Sequence, residues 1–572
     1  MPQVTIDGQA YPFEPGEKVL QFMLDRGIEV PHFCYHPSLS VPANCRQCLV
    51  KAGTPVINRE TKAPELDEAG RPKIQYMPKM MPGCALDMTD SMVIHTQYGD
   101  ESVEAAQADN LEMLLANHPL DCPICDQAGQ CPLQNQAFKY GPEGSRFEFE
   151  KVHKPKRVQL GPNVVLDAER CINCTRCTRF TEEVSETYQL SIVNRGDMNY
   201  PMTAPGEQFD DPYSMNVTDL CPVGALTESY FRFKARVWEL SKTPTVSDVG
   251  SKGTNVDVWV RDNQVLRITP RQNLEVNEYW MPDVARLVFD RFNTDRPTGP
   301  TVRARRAEWP VAYAAAADVL KAAGSSIVFV GSAYATVEDN YLLMQLASAV
   351  GAEAPRYVAH VQEGAGDDWL LTDDQAPNAA GCERLGMTAW DADAFQTAVS
   401  AADAVYILEE DPVAAGLIAG DGLAGKRVVL HAYHTSNATV PHAEVVLPAA
   451  MSVETIGTYV NGEGRAQLLR PAKAIRGMFR PLMAALGVGQ SRLDRQGTPF
   501  DRWHDEENRV DCQPGWVSLP EVATRLGHDG LRFKSPAAVL DRVAAEHAAF
   551  AGVNHHALGL LGVVLENDEQ PA

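Results

Sequence analysis

The sequence is most constrained by one arc, His118-Pro-Leu-Asp-Cys122-Pro-Ile-Cys125-Asp-Gln-Ala-Gly-Gln-Cys131, which sets a histidine and three cysteines within fourteen residues. Thiols at that density are an oxidation liability unless a metal centre uses them, and zinc and iron–sulfur clusters are the centres that take such soft donors. The neighbouring sequence decides between them. Cys171, Cys174 and Cys177 follow as C-x2-C-x2-C, and Cys221-Pro222 completes the pattern from a distance. Three thiolates on one loop hold three corners of a cubane, and the remote cysteine takes the fourth iron. Zinc has no use for that triplet.

The thirteen cysteines are unevenly placed: eleven lie at or before Cys221, and only Cys382 and Cys512 follow. A disulfide framework belongs to short secreted chains. This chain of 572 residues opens without a charged and then apolar leader, so no secretory signal is expected. Eleven cysteines and His118 make twelve donors, which divide into three complete sets of four. With 44% hydrophobic residues the chain can bury several cores. A net charge of -24 argues against a nucleic-acid partner. The longest apolar run, residues 557–565, is far short of the roughly 20 residues that cross a bilayer. Any membrane association is therefore expected to run through a partner, without a direct span.

In chain order, Val4 to Ile6 and Tyr11 to Phe13 alternate around Asp7-Gly8 and predict a hairpin. Val19, Leu20, Met23, Leu24 and Ile28 then share one helical face. Cys34, Cys45 and Cys48 follow, with Cys84 as a delayed fourth donor. This order is similar to the plant-type [2Fe–2S] ferredoxins, although ten residues rather than four separate the first two cysteines. Cys34-Tyr-His36 has the form of half a Rieske site, but Cys45-Arg-Gln-Cys48 lacks the second histidine, so His32 and His36 read as accessory or surface residues. Segment 53–73 reads as an exposed loop, 102–117 as an amphipathic helix delivering His118, and the basic run 150–157 as a solvated linker.

Taken together, these three motifs in this order, including the histidine donor, resemble the large iron–sulfur subunit (the 75-kDa type) of respiratory NADH:quinone oxidoreductase, complex I. The likeness covers nearly the first 230 residues. It implies one [2Fe–2S] cluster on Cys34, Cys45, Cys48 and Cys84. It implies a [4Fe–4S] cluster on His118, Cys122, Cys125 and Cys131, and another on Cys171, Cys174, Cys177 and Cys221. It further implies an electron relay in the peripheral arm, on the cytoplasmic side of the bacterial inner membrane. The flavin-bearing subunit and further iron–sulfur subunits would be its partners. No catalytic acid, base or nucleophile is expected, nor a site for NADH or quinone on this chain, and neither a G-x-G-x-x-G fingerprint nor a P-loop is found. Some members carry a fourth cluster on C-x2-C-x3-C. The corresponding stretch here, from Thr245 to Asn255, has no cysteine, so that cluster is expected to be absent.

The second half predicts a small β domain around Val256 to Ile268, then strands at 327–331, 404–408 and 427–430 with a helix at 337–350. Val445-Val-Leu-Pro-Ala-Ala450 and Gly457-Thr-Tyr-Val-Asn-Gly-Glu-Gly-Arg465 resemble the molybdopterin oxidoreductase fold. No molybdopterin is expected, because Cys382 is the one nearby thiol and reads as a small buried hydrophobe. The fold class is accordingly α+β and multidomain. It comprises a [2Fe–2S] ferredoxin-like β-grasp domain (1–97), a His/Cys [4Fe–4S] domain (98–150), a four-cysteine [4Fe–4S] domain (151–240) and a cluster-free β domain (241–300). A degenerate molybdopterin-type α/β domain (301–480) and a C-terminal extension (481–572) expected against a partner complete it. The alternative is the iron–sulfur subunit of an NAD-linked hydrogenase or formate dehydrogenase.

Overall fold

The computed structural model describes residues 1–58, 60–61, 63–68, 70–476 and 509–566. The chain divides into two compact units, Met1–Val237 and Trp238–Ala572.

The first unit opens on the expected hairpin, β1 (Gln3–Ile6) and β2 (Gln9–Pro12), with Asp7 and Gly8 both at positive φ in the turn. Helix α1 (Val19–Asp25) follows, then β3 (Leu49–Pro55), β4 (Ile74–Tyr76), β5 (Met81–Pro82) and β6 (Met92–His95). They form one mixed sheet in the order β2-β1-β6-β3-β4, with β1 parallel to β6 and β5 on β3. Alternate strand residues Val4, Ile6, Val50, Ala52, Met92 and Ile94 meet Val19, Leu20 and Met23 of α1 in a dry core, as a sheet with one buried face requires. The 53–73 segment is more ordered than a loop: it extends the β3–β4 pair through bridges Ile57 to Pro64 and Leu66 to Pro72.

Helix α2 (Glu101–Ala116) is capped by Asp100, whose carboxylate accepts from Ser102 N at 2.9 Å. The Gln107 side chain of α2 donates to Leu49 O, while its backbone carbonyl receives Gln47. The helix is thus tied to the loop that carries Cys45 and Cys48. Beyond it come α3 (Pro132–Tyr140), α4 (Arg176–Glu183) and α5 (Asn216–Leu220). The basic run between α3 and α4 is largely exposed and without regular structure, as a solvated linker should be, but it is tied down at several points. Lys151 donates to Leu115 O and Ala116 O, both at 2.8 Å, closing the α2 carboxyl end, and Lys156 pairs with Asp121 and Glu169. These cations are anchored because each finds an unpaired carbonyl or carboxylate on the neighbouring donor loops.

In the second unit, strands Ser241–Val246, Asn255–Arg261 and Gln264–Pro270 make an antiparallel meander. Its tight turn places Asp262 and Asn263 at φ 51 and 59, as a type I′ hairpin turn demands. A seven-stranded sheet follows, in which Arg356–Val358, Ile327–Ser332, Ala404–Ile407, Arg427–Ala432 and Val445–Pro448 are consecutive parallel neighbours. Both faces are apolar and buried, which is why these strands read as continuous hydrophobic runs. The extension expected against a partner folds in large part onto this unit instead. Leu519, Val522, Val539 and Val543, from helices Gly515–Arg525 and Pro536–Glu546, complete the same core as the sheet. Residues 481–508 and 567–572, part of that expectation, lie outside the described residues.

Candidate metal centres

The first set is carried by the stretch between α1 and β3 and by the residues just after β5. Cys34, Cys45, Cys48 and Cys84 are all buried. Cys34 stands within hydrogen-bonding reach of Cys45 and of Cys84, and Cys84 in turn of Cys48, so the four sulfurs form one connected group. Sharing protons within that group holds the Cys34 and Cys48 thiols low and pushes Cys45 and Cys84 up. Ala43 and Arg46 adopt left-handed backbone on either side of Cys45, which turns the wide loop back towards Cys34. Gly83 N donates to Cys48 O at 2.8 Å and so brings Cys84 alongside. His32 Nδ1 binds Val30 O at 2.9 Å, and His36 Nδ1 accepts from Ser38 N.

The second set begins where α2 ends. His118 N donates to Leu115 O, and the imidazole is enclosed, with Nδ1 lacking a hydrogen-bond partner. Burial first, then Arg170 and Lys151, bring its pKa down to about 4, so the ring is neutral and available as a donor. Cys125 and Cys131 are buried and Cys122 is exposed. Burial pushes the Cys131 thiol up to about 11.

In the third set Cys174, Cys177 and Cys221 are buried and Cys171 is half-buried. Cys171, Cys174, Cys177 and Cys221 line a single cavity with Ile172, Ile192, Pro201, Val223 and Leu226. Asn173 and Thr175 both lie at left-handed φ, 53 and 60, so the loop coils inward and Asn173 N donates to Cys171 Sγ at 3.4 Å. Burial pushes Cys171 and Cys221 up to about 12. Such thiols become thiolates only beside a concentrated positive charge, which a cluster of iron ions supplies. Among the described residues no group of three or more His, Cys, Asp or Glu side chains is arranged to hold a single metal ion. A polynuclear cluster does not require that arrangement, since each donor binds a different iron.

The sets are contiguous. Cys131 Sγ lies 3.8 Å from Pro222 O, and Gly224 passes so close to Cys125 that a Cβ there would sit 2.2 Å from its Sγ. The Cys221-Pro-Val-Gly224 stretch therefore adjoins both the second and the third set, which explains why glycine stands at 224. Arg176 and Arg179 join the third set to the first. Sequence reasoning missed both arginines and Gly224. The available signal was the repeat Cys174-Thr-Arg176-Cys177-Thr-Arg179, with cations placed among thiols.

In the second unit, the cysteine-free stretch from Thr245 to Asn255 and its neighbours are joined by hydrogen bonds. Ser247 N donates to Thr254 O at 2.8 Å, Ser251 N to Asp374 O at 3.0 Å, and Gly462 N to Ser251 O at 2.7 Å. At the carboxyl ends of the parallel strands, a cavity of about 270 Å³ is lined by Tyr334, Glu409, Glu410, Asp411, Tyr433 and His434. That is where an open α/β sheet holds a phosphate-bearing ligand. Its acidic lining does not fit the phosphates of a pterin dinucleotide. Cys382 lies in the core at 0% exposure, its Sγ 3.5 Å from Ser332 O, and is no better placed to hold a metal.

Fold and donor sets define a multi-cluster iron–sulfur protein with a molybdopterin-type α/β unit. Comparison with known proteins places it more narrowly. Residues 2–99 match the family described as 2Fe-2S iron-sulfur cluster binding domain, and 107–146 the NADH-ubiquinone oxidoreductase-G iron-sulfur binding region. Residues 161–227 match the NADH-quinone oxidoreductase subunit 3 ferredoxin-like domain, and 391–484 Molybdopterin oxidoreductase. Residues 240–290 match the NDSU1/NuoG-like 4Fe-4S domain, though here they contain neither cysteine nor histidine. NADH-quinone oxidoreductase subunit 3 of Thermus thermophilus is 37% identical over 61% of this chain and 46% of its own length. The mitochondrial 78 kDa subunit of NADH-ubiquinone oxidoreductase is 34% identical over 61% and 46% in Candida albicans, and 35% over 61% and 45% in Neurospora crassa. A solved NAD+-reducing [NiFe]-hydrogenase chain is similar over 41% of this chain and 91% of its own, at 26% identity and a TM-score of 0.33. The chain spans about half the length of the curated relatives it matches. Its matched domains are of 2Fe-2S and 4Fe-4S binding type, and in them it is similar to the NuoG-like iron–sulfur proteins.

Proposed function

We propose that this chain is an electron relay of a proton-pumping NADH:quinone oxidoreductase, taking electrons one at a time from a flavin-bearing subunit and passing them on, through further iron–sulfur subunits, towards quinone. Cys34, Cys45, Cys48 and Cys84 hold a [2Fe–2S] cluster. His118, Cys122, Cys125 and Cys131 hold one [4Fe–4S] cluster, and Cys171, Cys174, Cys177 and Cys221 the other. Bound there, the clusters supply reversible one-electron chemistry. The protein's own part is to hold the donor sets rigidly, bury most of their donors and bring them close together. The observation that carries this reading is their contiguity. Arg179 touches Cys34 and Cys174, and Cys131 and Cys125 touch the Pro222 to Gly224 stretch. The spatial order is therefore first, third, second, and not the order of the chain.

The chain works as a peripheral subunit on the cytoplasmic side of a bacterial inner membrane, and it binds neither NADH nor quinone itself. No helix among the described residues is long and apolar enough to cross a membrane, which is compatible with docking through partner subunits. The test is chemical iron and EPR on the fully loaded protein. About ten irons per chain are expected, two from the binuclear and eight from the cubane clusters. Iron well above that value would reveal a further cluster on donors other than these twelve, and colourless protein with zinc in place of iron would end the relay reading.

A further inference from the structure

Arg179 donates through one nitrogen, Nη2, to Cys34 O at 2.6 Å and to Cys174 O at 3.3 Å. A single guanidinium thus joins a cysteine of the first set to a cysteine of the third. Its remaining donors go to the Ser40 carbonyl and the Thr175 hydroxyl. One turn earlier on α4, Arg176 reaches the carbonyls of Tyr35 and Leu220, the residues flanking Cys34 and Cys221. Arg179 is 7% exposed, and Arg176 is half-buried with its Nε enclosed and unpartnered.

Neither arginine forms an ion pair with a carboxylate among the described residues. The acid that acts on Arg179 is Glu183, whose two oxygens accept from Ser40 N and Oγ. The ionisable groups that act on Arg176 in the direction of an anion are the sulfurs of Cys174, Cys221 and Cys34. Enclosing a cation with carbonyl dipoles alone is strongly unfavourable, and two such cations in one wall call for a compensating anion. A cluster ligated by four thiolates is an anion of that kind.

We propose that Arg179, with Arg176 beside it, is a positioning group for electron transfer between the first and third sets. It fixes their separation, supplies the hydrogen-bonded contact between their ligands, and raises the reduction potential of the centre on Cys171, Cys174, Cys177 and Cys221. The inference rests on the reading of those cysteines as cluster ligands. In the step concerned, one electron leaves the first set's centre, which is oxidised, and arrives at the third's, which is reduced. No bond or proton moves. A fixed cation favours the reduced, more negative state of its neighbour, so its loss lowers the potential.

Two substitutions separate charge from contact. Arg179→Gln removes the cation. Arg179→Lys keeps it, but one ammonium on a flexible stem does not reproduce the planar fork that meets both carbonyls. The cluster-loaded chain is assayed by iron content, EPR-monitored redox titration and freeze-quench reduction kinetics. Arg179→Gln is expected to lower the midpoint potential of the third set's centre more than that of the first. Arg179→Lys is expected to hold that potential near wild type while slowing transfer between the two at least tenfold. A Gln variant that loses the third set's iron, where the Lys variant keeps it, also supports charge compensation. With iron intact, an unchanged potential in the Gln variant overturns the charge role, and an unchanged rate in the Lys variant overturns the contact role. Wild-type chain without a cubane on the third set overturns the ligand reading itself, a result distinct from either.

Discussion

His118 stands two residues beyond the end of α2, where a histidine ordinarily caps the helix by bonding its last carbonyls. Lys151 already occupies those carbonyls, and His118 Nδ1 is left enclosed without a partner. That displacement favours a role as metal donor. A neutral imidazole in place of a thiolate makes the cluster one charge less negative, so its potential should lie above that of an all-cysteine counterpart. His118→Cys is accordingly expected to retain a cluster at a lower midpoint potential, and His118→Ala to lose or destabilise it, as read by EPR redox titration. Unchanged signals and potentials of both cubanes in His118→Ala would return the residue to a helix-end role. At this scale the sequence was legible where chemistry dictates spacing, as in C-x2-C-x2-C. It was opaque for Lys151, whose partners are backbone carbonyls, and for Arg176 and Arg179 it offered only the Cys-Thr-Arg repeat, which does not say what the cations bind.

Among the elements, helix Val337–Ala349 carries a titrating group inside its first turn. Thr336 accepts from Asp339 N at 3.1 Å and donates to Asp339 Oδ2 at 2.8 Å, a reciprocal cap that buries the carboxyl completely. Burial raises its pKa to about 7, with Glu338 adding to the rise and Thr336 and Trp516 opposing it. The folded pKa thus lies above the unfolded one, near 4. The folded state holds this proton longer, so the contribution to stability is present in full below about pH 4 and is lost as pH rises through about 7. Asp339→Asn does not titrate and keeps an oxygen for Thr336. It should gain on wild type with rising pH, by an order of magnitude of a few kcal/mol. Thermal unfolding at pH 5 and pH 8 checks this: the variant's advantage must be larger at pH 8, and an equal difference at both would sink the assignment. The sequence disclosed this helix and its neighbouring strands through long apolar periods. It did not disclose the helices of the C-terminal extension. Gly515–Arg525 holds Pro520 in its interior and offers its core few large apolar side chains, so local pattern is weak where tertiary packing supplies the stability.

At the scale of the whole molecule, two kinds of site meet in one chain, and the donor chemistry of each was only partly visible beforehand. The first unit concentrates thiols around buried cations. The second unit has the parallel sheet of a ligand-binding fold, yet presents acid at its crevice, an arrangement that only the folded sheet assembles from residues as far apart as Tyr334 and Asn437. Glu409 is 4% exposed, its Oε1 unpartnered and its pKa held well above the ordinary carboxylate range by burial and by Asp339. Glu410 accepts from Ser332 and lies 3.1 Å from His360 Nε2, and Asp411 is engaged by Ala438 N and Thr439. A pterin dinucleotide would bring its phosphates to this wall, where phosphate sites elsewhere use helix N-termini and free N–H groups. The acids Glu410 and Asp411 oppose that ligand, and Cys382, sealed in the core, offers no metal donor towards the cavity. Protein prepared in medium containing molybdate and tungstate should therefore hold neither metal and yield no fluorescent pterin on acid oxidation. Molybdenum or tungsten at near-stoichiometric occupancy, accompanied by pterin, would show that the crevice accepts the dinucleotide despite its acids, and would turn the second unit from a scaffold into a second redox centre.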